Sequence, residues 1–142
     1  MAAGPTVKQI LKAYPDKIRL VIKNYPYKYR DFSKIAAEAT LAARDQGKYW
    51  EMHDLLLTRS PKLDRASLIA YAGELGLDVK IFTAALDLGK HAGEIEADIQ
   101  LAQSIDLYNT PTIYINGRQI VGERPFDFFK KIIDEQLALV GK

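Results

Sequence analysis

The chain has 142 residues, 48% of them hydrophobic and 27% charged, with 20 basic residues against 18 acidic ones. Those figures predict one soluble globular domain whose core needs no disulfide or metal, and a net charge of +2 argues against a nucleic-acid footprint. With no cysteine and two histidines, the chain has no disulfide, no thiolate nucleophile and no histidine-rich metal site.

Val7, Ile10, Leu11 and Tyr14 recur at helical spacing and predict a short amphipathic helix over residues 6–14. Pro5 suits its first turn and Pro15 follows its end. Residues 18–23 (Ile-Arg-Leu-Val-Ile-Lys) are short and rich in β-formers, and read as a strand broken by Asn24-Tyr25-Pro26. An alanine-rich helix over 35–44 stops near Gly47, and a second over 49–57 stops at Ser60-Pro61. Asp64 is a good N-cap for a helix over 65–75 that ends at Gly76, and Asp78 caps a shorter one ending at Gly89. Residues 91–105 place Ala92, Ile95, Ile99, Ala102 and Ile105 on one side of a further helix. The period then changes. Thr112-Ile113-Tyr114-Ile115 and residues 118–121 read as two strands joined by Asn116-Gly117, a type I′ hairpin signal. Pro125 opens a closing helix whose core face is Phe126, Phe129, Ile132 or Ile133, Leu137 and Val140. The sum is an α/β domain over 1–142 with a helical insertion at about 33–106 and one small sheet. No apolar run is long enough to span a bilayer. Residues 1–5 show neither the basic nor the apolar part of a signal peptide.

Asn109, Thr110 and Pro111 stand directly before the hairpin. They read either as a cis-proline loop that holds an extended peptide by its backbone or as an ordinary proline at a strand start. Trp50, the one tryptophan, is expected in the core. His53 is expected on the helix surface or in the core with a hydrogen-bond partner. His91 with Glu94 is expected as a solvated pair, and Glu94, Glu96 and Asp98 as a solvated acidic face. Tyr25, Tyr27 and Tyr29, interleaved with Lys28 and Arg30, read as packed loop aromatics or a peptide-contact rim. The stretch is too short for a nucleic-acid platform. The helix start near residues 4–6 is a weak anion-binding signal.

Four segments resemble the DsbA-like thioredoxin family of thiol–disulfide oxidoreductases. They are Lys23-Asn24-Tyr25-Pro26; Ala36-Ala37-Glu38-Ala39 with Gln46 to Asp54; Thr110-Pro111-Thr112 through Asn116-Gly117; and Val121-Gly122 with Pro125-Phe126. The resemblance implies a thioredoxin-like fold with a helical insertion, protein disulfide exchange in the full-length form, polypeptide substrates, no cofactor, no metal, no nucleic acid and an extracytoplasmic setting. Asn109, Thr110 and Pro111 correspond to the peptide-binding cis-proline loop. Family members open with a strand and a Cys-x-x-Cys motif, followed by a proline that Pro5 resembles. The absence of cysteine therefore implies an N-terminally truncated, redox-inactive chain with no catalytic residue of its own, or a cysteine-free peptide-binding or chaperone-like module. Without the opening strand the sheet lacks a partner, which predicts a homodimer, or a rearranged sheet in which another segment or chain fills the gap. Kappa-class glutathione transferases resemble the same fold but use a serine at the first helix, and no serine precedes Ser33 here.

Overall fold

The structure is a computed structural model that describes residues 3–28 and 30–141. In chain order the elements are α1 (Ala3–Ala13), α2 (Ser33–Arg44), α3 (Tyr49–Arg59), α4 (Arg65–Glu74), α5 (Val79–Asp87), α6 (Ala92–Ser104), β1 (Thr112–Ile115), β2 (Arg118–Val121) and α7 (Phe126–Val140). They fall into two compact units. One comprises Met1–Ile22 with Asp106–Lys142, and the other is Lys23–Ile105.

The discontinuous unit is built on the hairpin. β1 and β2 pair antiparallel, with Ile113 opposite Ile120 and Ile115 opposite Arg118. Asn116 and Gly117 both have positive φ (47° and 85°), as a type I′ turn requires. Asparagine and glycine tolerate that conformation best, so the turn fixes the register. The register puts Ile120 into a core with Tyr14, Phe129, Ile132 and Ile133, against which Ile10, Ile18, Ile113, Ile115 and Leu137 pack. Phe129, Ile132 and Ile133 follow the helical repeat on α7. Val140 departs from expectation: it is 75% exposed, because the last turn of α7 runs past the core. The Tyr14 hydroxyl donates to Asp134 Oδ1 at 2.6 Å and ties the end of α1 to α7.

The unit Lys23–Ile105 is all helix. Ala39, Ala42 and Ala43 of α2 are buried and small, so α3, α4 and α5 approach closely around it. Met52, Leu56, Leu68, Tyr71, Phe82 and Leu86 complete that core. Both predicted caps are present. The Asp64 carboxylate accepts from the Ser67 N–H at 3.3 Å and the Ser67 hydroxyl at 2.6 Å. Asp78 accepts from the Ile81 N–H at 3.0 Å. Asp78 also meets Gln46, whose Oε1 accepts its N–H at 2.8 Å, which fastens the start of α5 to the end of α2.

Residues 18–23 are not a strand. The only described sheet is β1–β2, and the segment pairs with nothing among the described residues. β-propensity describes a fit to a pleated surface, and none is paired with it. Trp50 is 46% exposed rather than in the core. Met52 and Leu56 take the inward positions of α3, one helical turn apart. Ile105 is also exposed.

Candidate functional site

The loop before β1 is shaped by short local bonds. The Thr112 hydroxyl donates to the Asn109 carbonyl at 2.6 Å. The Gly122 N–H donates to the Pro111 carbonyl at 2.9 Å, which continues the hairpin pairing past the end of β2. The peptide bond between Thr110 and Pro111 is cis, as is the one between Ser60 and Pro61. Asn109 and Thr110 are exposed and Pro111 is half-buried.

Pro111 borders a small hollow. Thr6 and Val7 of α1, Ile113 of β1, Phe129 of α7, and Glu123 and Arg124 line it with Pro111. The Arg124 guanidinium lies 5.9 Å from the Phe128 ring centroid, within range of a cation–π contact. Asn109 and Thr110 do not line the hollow. Sequence reading missed Glu123 and Arg124. The available signal was their place immediately after β2, next to the residue that bonds Pro111. The hollow has apolar walls, one hydroxyl and one pair of opposite charges. Among the described residues no three histidine, cysteine, aspartate or glutamate side chains are grouped to hold a metal ion.

The two histidines lie in the helical unit. His53 stacks on Tyr49 at a centroid distance of 5.9 Å and meets Trp50 edge-on at 5.7 Å. Its Nδ1 is 3.5 Å from Asp54 Oδ1, at the outer limit of a hydrogen bond. His91 is not solvated. It is 7% exposed, with Nε2 2.8 Å from Asp45 Oδ2 and Nδ1 3.8 Å from Glu94 Oε2. Glu94 is held instead by a two-bond clamp from Arg44 at 2.7 and 2.8 Å. That clamp holds the Glu94 carboxyl below the ordinary carboxylate range. Burial works to raise the Asp45 carboxyl, but the contacts from Lys90 and His91 outweigh it and hold it low. Asp98 is no part of a solvated face. It is 9% exposed and accepts the Asn24 N–H at 2.9 Å, with Lys23 Nζ at 3.4 Å. A helical position that faces the start of the unit needs a charge there, and spacing along α6 alone does not reveal it. Tyr25 and Tyr27 meet edge to face at 5.8 Å. Tyr29 lies outside the described residues.

A family model described as "Thioredoxin" matches residues 2–135. Among solved structures the chain is similar to a thioredoxin-like oxidoreductase from Silicibacter pomeroyi DSS-3. The two are 27% identical, the match covers 95% of this chain and 77% of that one, and the TM-score is 0.84. It is also similar in fold to the thiol-disulfide exchange protein alpha-DsbA2 from Wolbachia pipientis, at 22% identity over 95% and 73% of the two chains and a TM-score of 0.83. Among curated proteins it is 38% identical over 118 residues to the Na(+)/H(+) antiporter NhaA 3 of Salinispora tropica, covering 82% of this chain and 18% of the antiporter. It is 38% identical over 109 residues to NhaA of Herminiimonas arsenicoxydans, covering 77% and 17%. The chain thus spans less than a fifth of the length of these relatives. The fold is thioredoxin-like, rich in helix with a two-stranded sheet, and the chain belongs to the thioredoxin family.

Proposed function

We propose that this chain is a peptide-positioning scaffold of the DsbA-like type, without thiol chemistry of its own. The observation that carries the reading is the hollow that Pro111 lines together with Thr6 and Val7 of α1 and the apolar Ile113 and Phe129. Asn109, Thr110 and Pro111 form its peptide-binding loop, and polypeptide substrates are its partners. Thiol–disulfide exchange requires an attacking thiolate, and this chain contains no cysteine. A longer form of the protein that supplies two cysteines would carry out disulfide exchange on the same scaffold. Similarity to the Silicibacter oxidoreductase and the Wolbachia exchange protein supports that step. The reading takes residues 1–142 as one domain with a helical insertion at about 33–106. In sequence, Lys23–Ile105 falls between the two segments of the other unit, which supports it. Association through the open sheet belongs to the same reading: a copy of this chain, or another polypeptide, fills it.

The test is binding of a labelled unfolded polypeptide to the chain and to Pro111→Ala. Binding that falls at least tenfold in the variant supports the reading, and the absence of binding at high peptide concentration defeats it. Sequencing of the gene upstream of Met1 tests the longer form: an in-frame Cys-x-x-Cys supports it, and a stop codon removes it.

The identity with two NhaA proteins favours a second reading, a cysteine-free module that serves a membrane transporter by binding polypeptide. No described helix is long and apolar enough to cross a membrane. Co-purification of the chain with an NhaA antiporter, lost on Pro111→Ala, is the outcome that reading requires.

A further inference from the structure

Residues 23–34, at the start of the helical unit, take no part in the Pro111 hollow. Four of them are basic and one is acidic, whereas the whole chain holds 20 basic residues against 18 acidic ones. Lys23 is engaged by Asp98 at 3.4 Å. Lys28, Arg30 and Lys34 are exposed and enter no ion pair among the described residues. Two successive turns link them: the Arg30 N–H donates to the Tyr27 carbonyl at 3.2 Å, and the Ser33 N–H to the Arg30 carbonyl at 3.4 Å. Phe32 stands in the second turn. Its φ is 65°, it makes no capping bond, and it is 48% exposed. A bulky side chain in the left-handed region costs free energy, and a half-exposed ring recovers little of that cost by burial.

An exposed aromatic residue among unpaired cations suits three kinds of polyanion, and the local geometry separates them. An extended acidic polypeptide docks through a run of free backbone N–H and C=O groups, and here the Arg30 and Ser33 amides are used inside the turns. Single-stranded nucleic acid needs open ring faces on which bases stack. Tyr25 and Tyr27 instead meet edge to face, and the Arg30 guanidinium lies 5.7 Å over the Tyr27 ring. A lipid surface asks for neither. It asks for cations at the level of the headgroups and an aromatic side chain that enters the boundary beneath them. We propose that Lys28, Arg30, Phe32 and Lys34 dock the helical unit on an anionic lipid surface, the three cations on the headgroup phosphates and Phe32 in the boundary. Asp31 is the one opposing charge between them. The proposal goes beyond both readings above and uses neither the Pro111 loop nor an antiporter.

The experiment floats the full chain with vesicles of phosphatidylcholine alone, and with vesicles in which roughly a third of that lipid is replaced by phosphatidylglycerol. The expected result is binding at least tenfold tighter to the anionic vesicles, lost as added salt screens the headgroups. Lys28→Glu combined with Arg30→Glu should weaken that binding at least tenfold. Phe32→Asn should weaken it at least fivefold while the thermal melt shows a folded chain, because asparagine tolerates the left-handed region. Equal binding to the two kinds of vesicle, or none, overturns the proposal. So does binding that survives Lys28→Glu with Arg30→Glu, which places the contact on other cations. Tighter binding to soluble polyglutamate or to single-stranded DNA than to the anionic vesicles makes that polymer the partner and also overturns it. Pro111→Ala should leave vesicle binding unchanged. If it removes that binding, the loop makes the contact, and these four residues lose the role.

Discussion

Single residues in this chain carry distinct physical duties. Asp98 takes a carboxylate into a nearly buried place in order to hold the Asn24 N–H and Lys23. Asp98→Ala should destabilise the fold by about 1–3 kcal/mol, because the amide it satisfies is left without a partner; a urea denaturation midpoint measures this. Tyr14 is a second such residue. Burial and then the bond to Asp134 raise its phenol above the ordinary value. A raised value means that the folded chain holds the proton more tightly than the unfolded one, so its stabilisation is present below the ordinary tyrosine range and is lost as pH rises through it. Tyr14→Phe should therefore be less stable by about 1 kcal/mol at neutral pH and should show a smaller fall in melting temperature above about pH 10. Phe32 stands at the start of α2 with φ 65°, in the left-handed region that a bulky side chain disfavours, and makes no capping bond. Glycine avoids that cost, so Phe32→Gly should raise stability by up to about 1 kcal/mol in a thermal melt.

At the scale of elements, the signals that survived translation into structure are those fixed by local chemistry. Asp64 and Asp78 cap because their carboxylates reach N–H groups three residues on, and Asp64→Ala, which removes a cap, should lower the same denaturation midpoint. The Asn116-Gly117 turn is legible because few other pairs adopt two positive φ values. The failures all depend on what lies opposite. Residues 18–23 have the composition of a strand but no pairing partner among the described residues. Trp50 and Asp98 on their helices, and His91 just ahead of α6, each have surroundings set by another element, or by none. The candidate site divides the same way. Pro111 was visible in its motif. Thr6, Glu123 and Arg124 come to it only through the folding of α1 and the hairpin.

For the whole molecule, the carboxylates that the structure holds below the ordinary range set the acid limit. Asp64 is lowered by the Ser67 hydroxyl and N–H, Asp134 by Lys130 and Tyr14, and Glu94 by Arg44. In the unfolded chain such groups titrate near about 4, so the unfolded state binds more protons just above the folded values. Their stabilisation is present above that pH and is lost as pH falls through the folded values. Urea midpoints at pH 7, 4 and 3 should fall in that order, and Asp134→Asn should reduce the drop. The discontinuous unit has one further consequence, for the order of events in folding. Lys23–Ile105 is contiguous in the chain and can close its helices through short loops, whereas the Tyr14–Asp134 bond joins residues 120 apart in sequence. Long closures are slow and come late. On a ribosome the helical unit emerges whole while the first twenty or so residues still wait for a hairpin that has yet to be made. Until α7 arrives, the apolar side chains of α1 and of residues 18–22 form the stretch of nascent chain most in need of a chaperone.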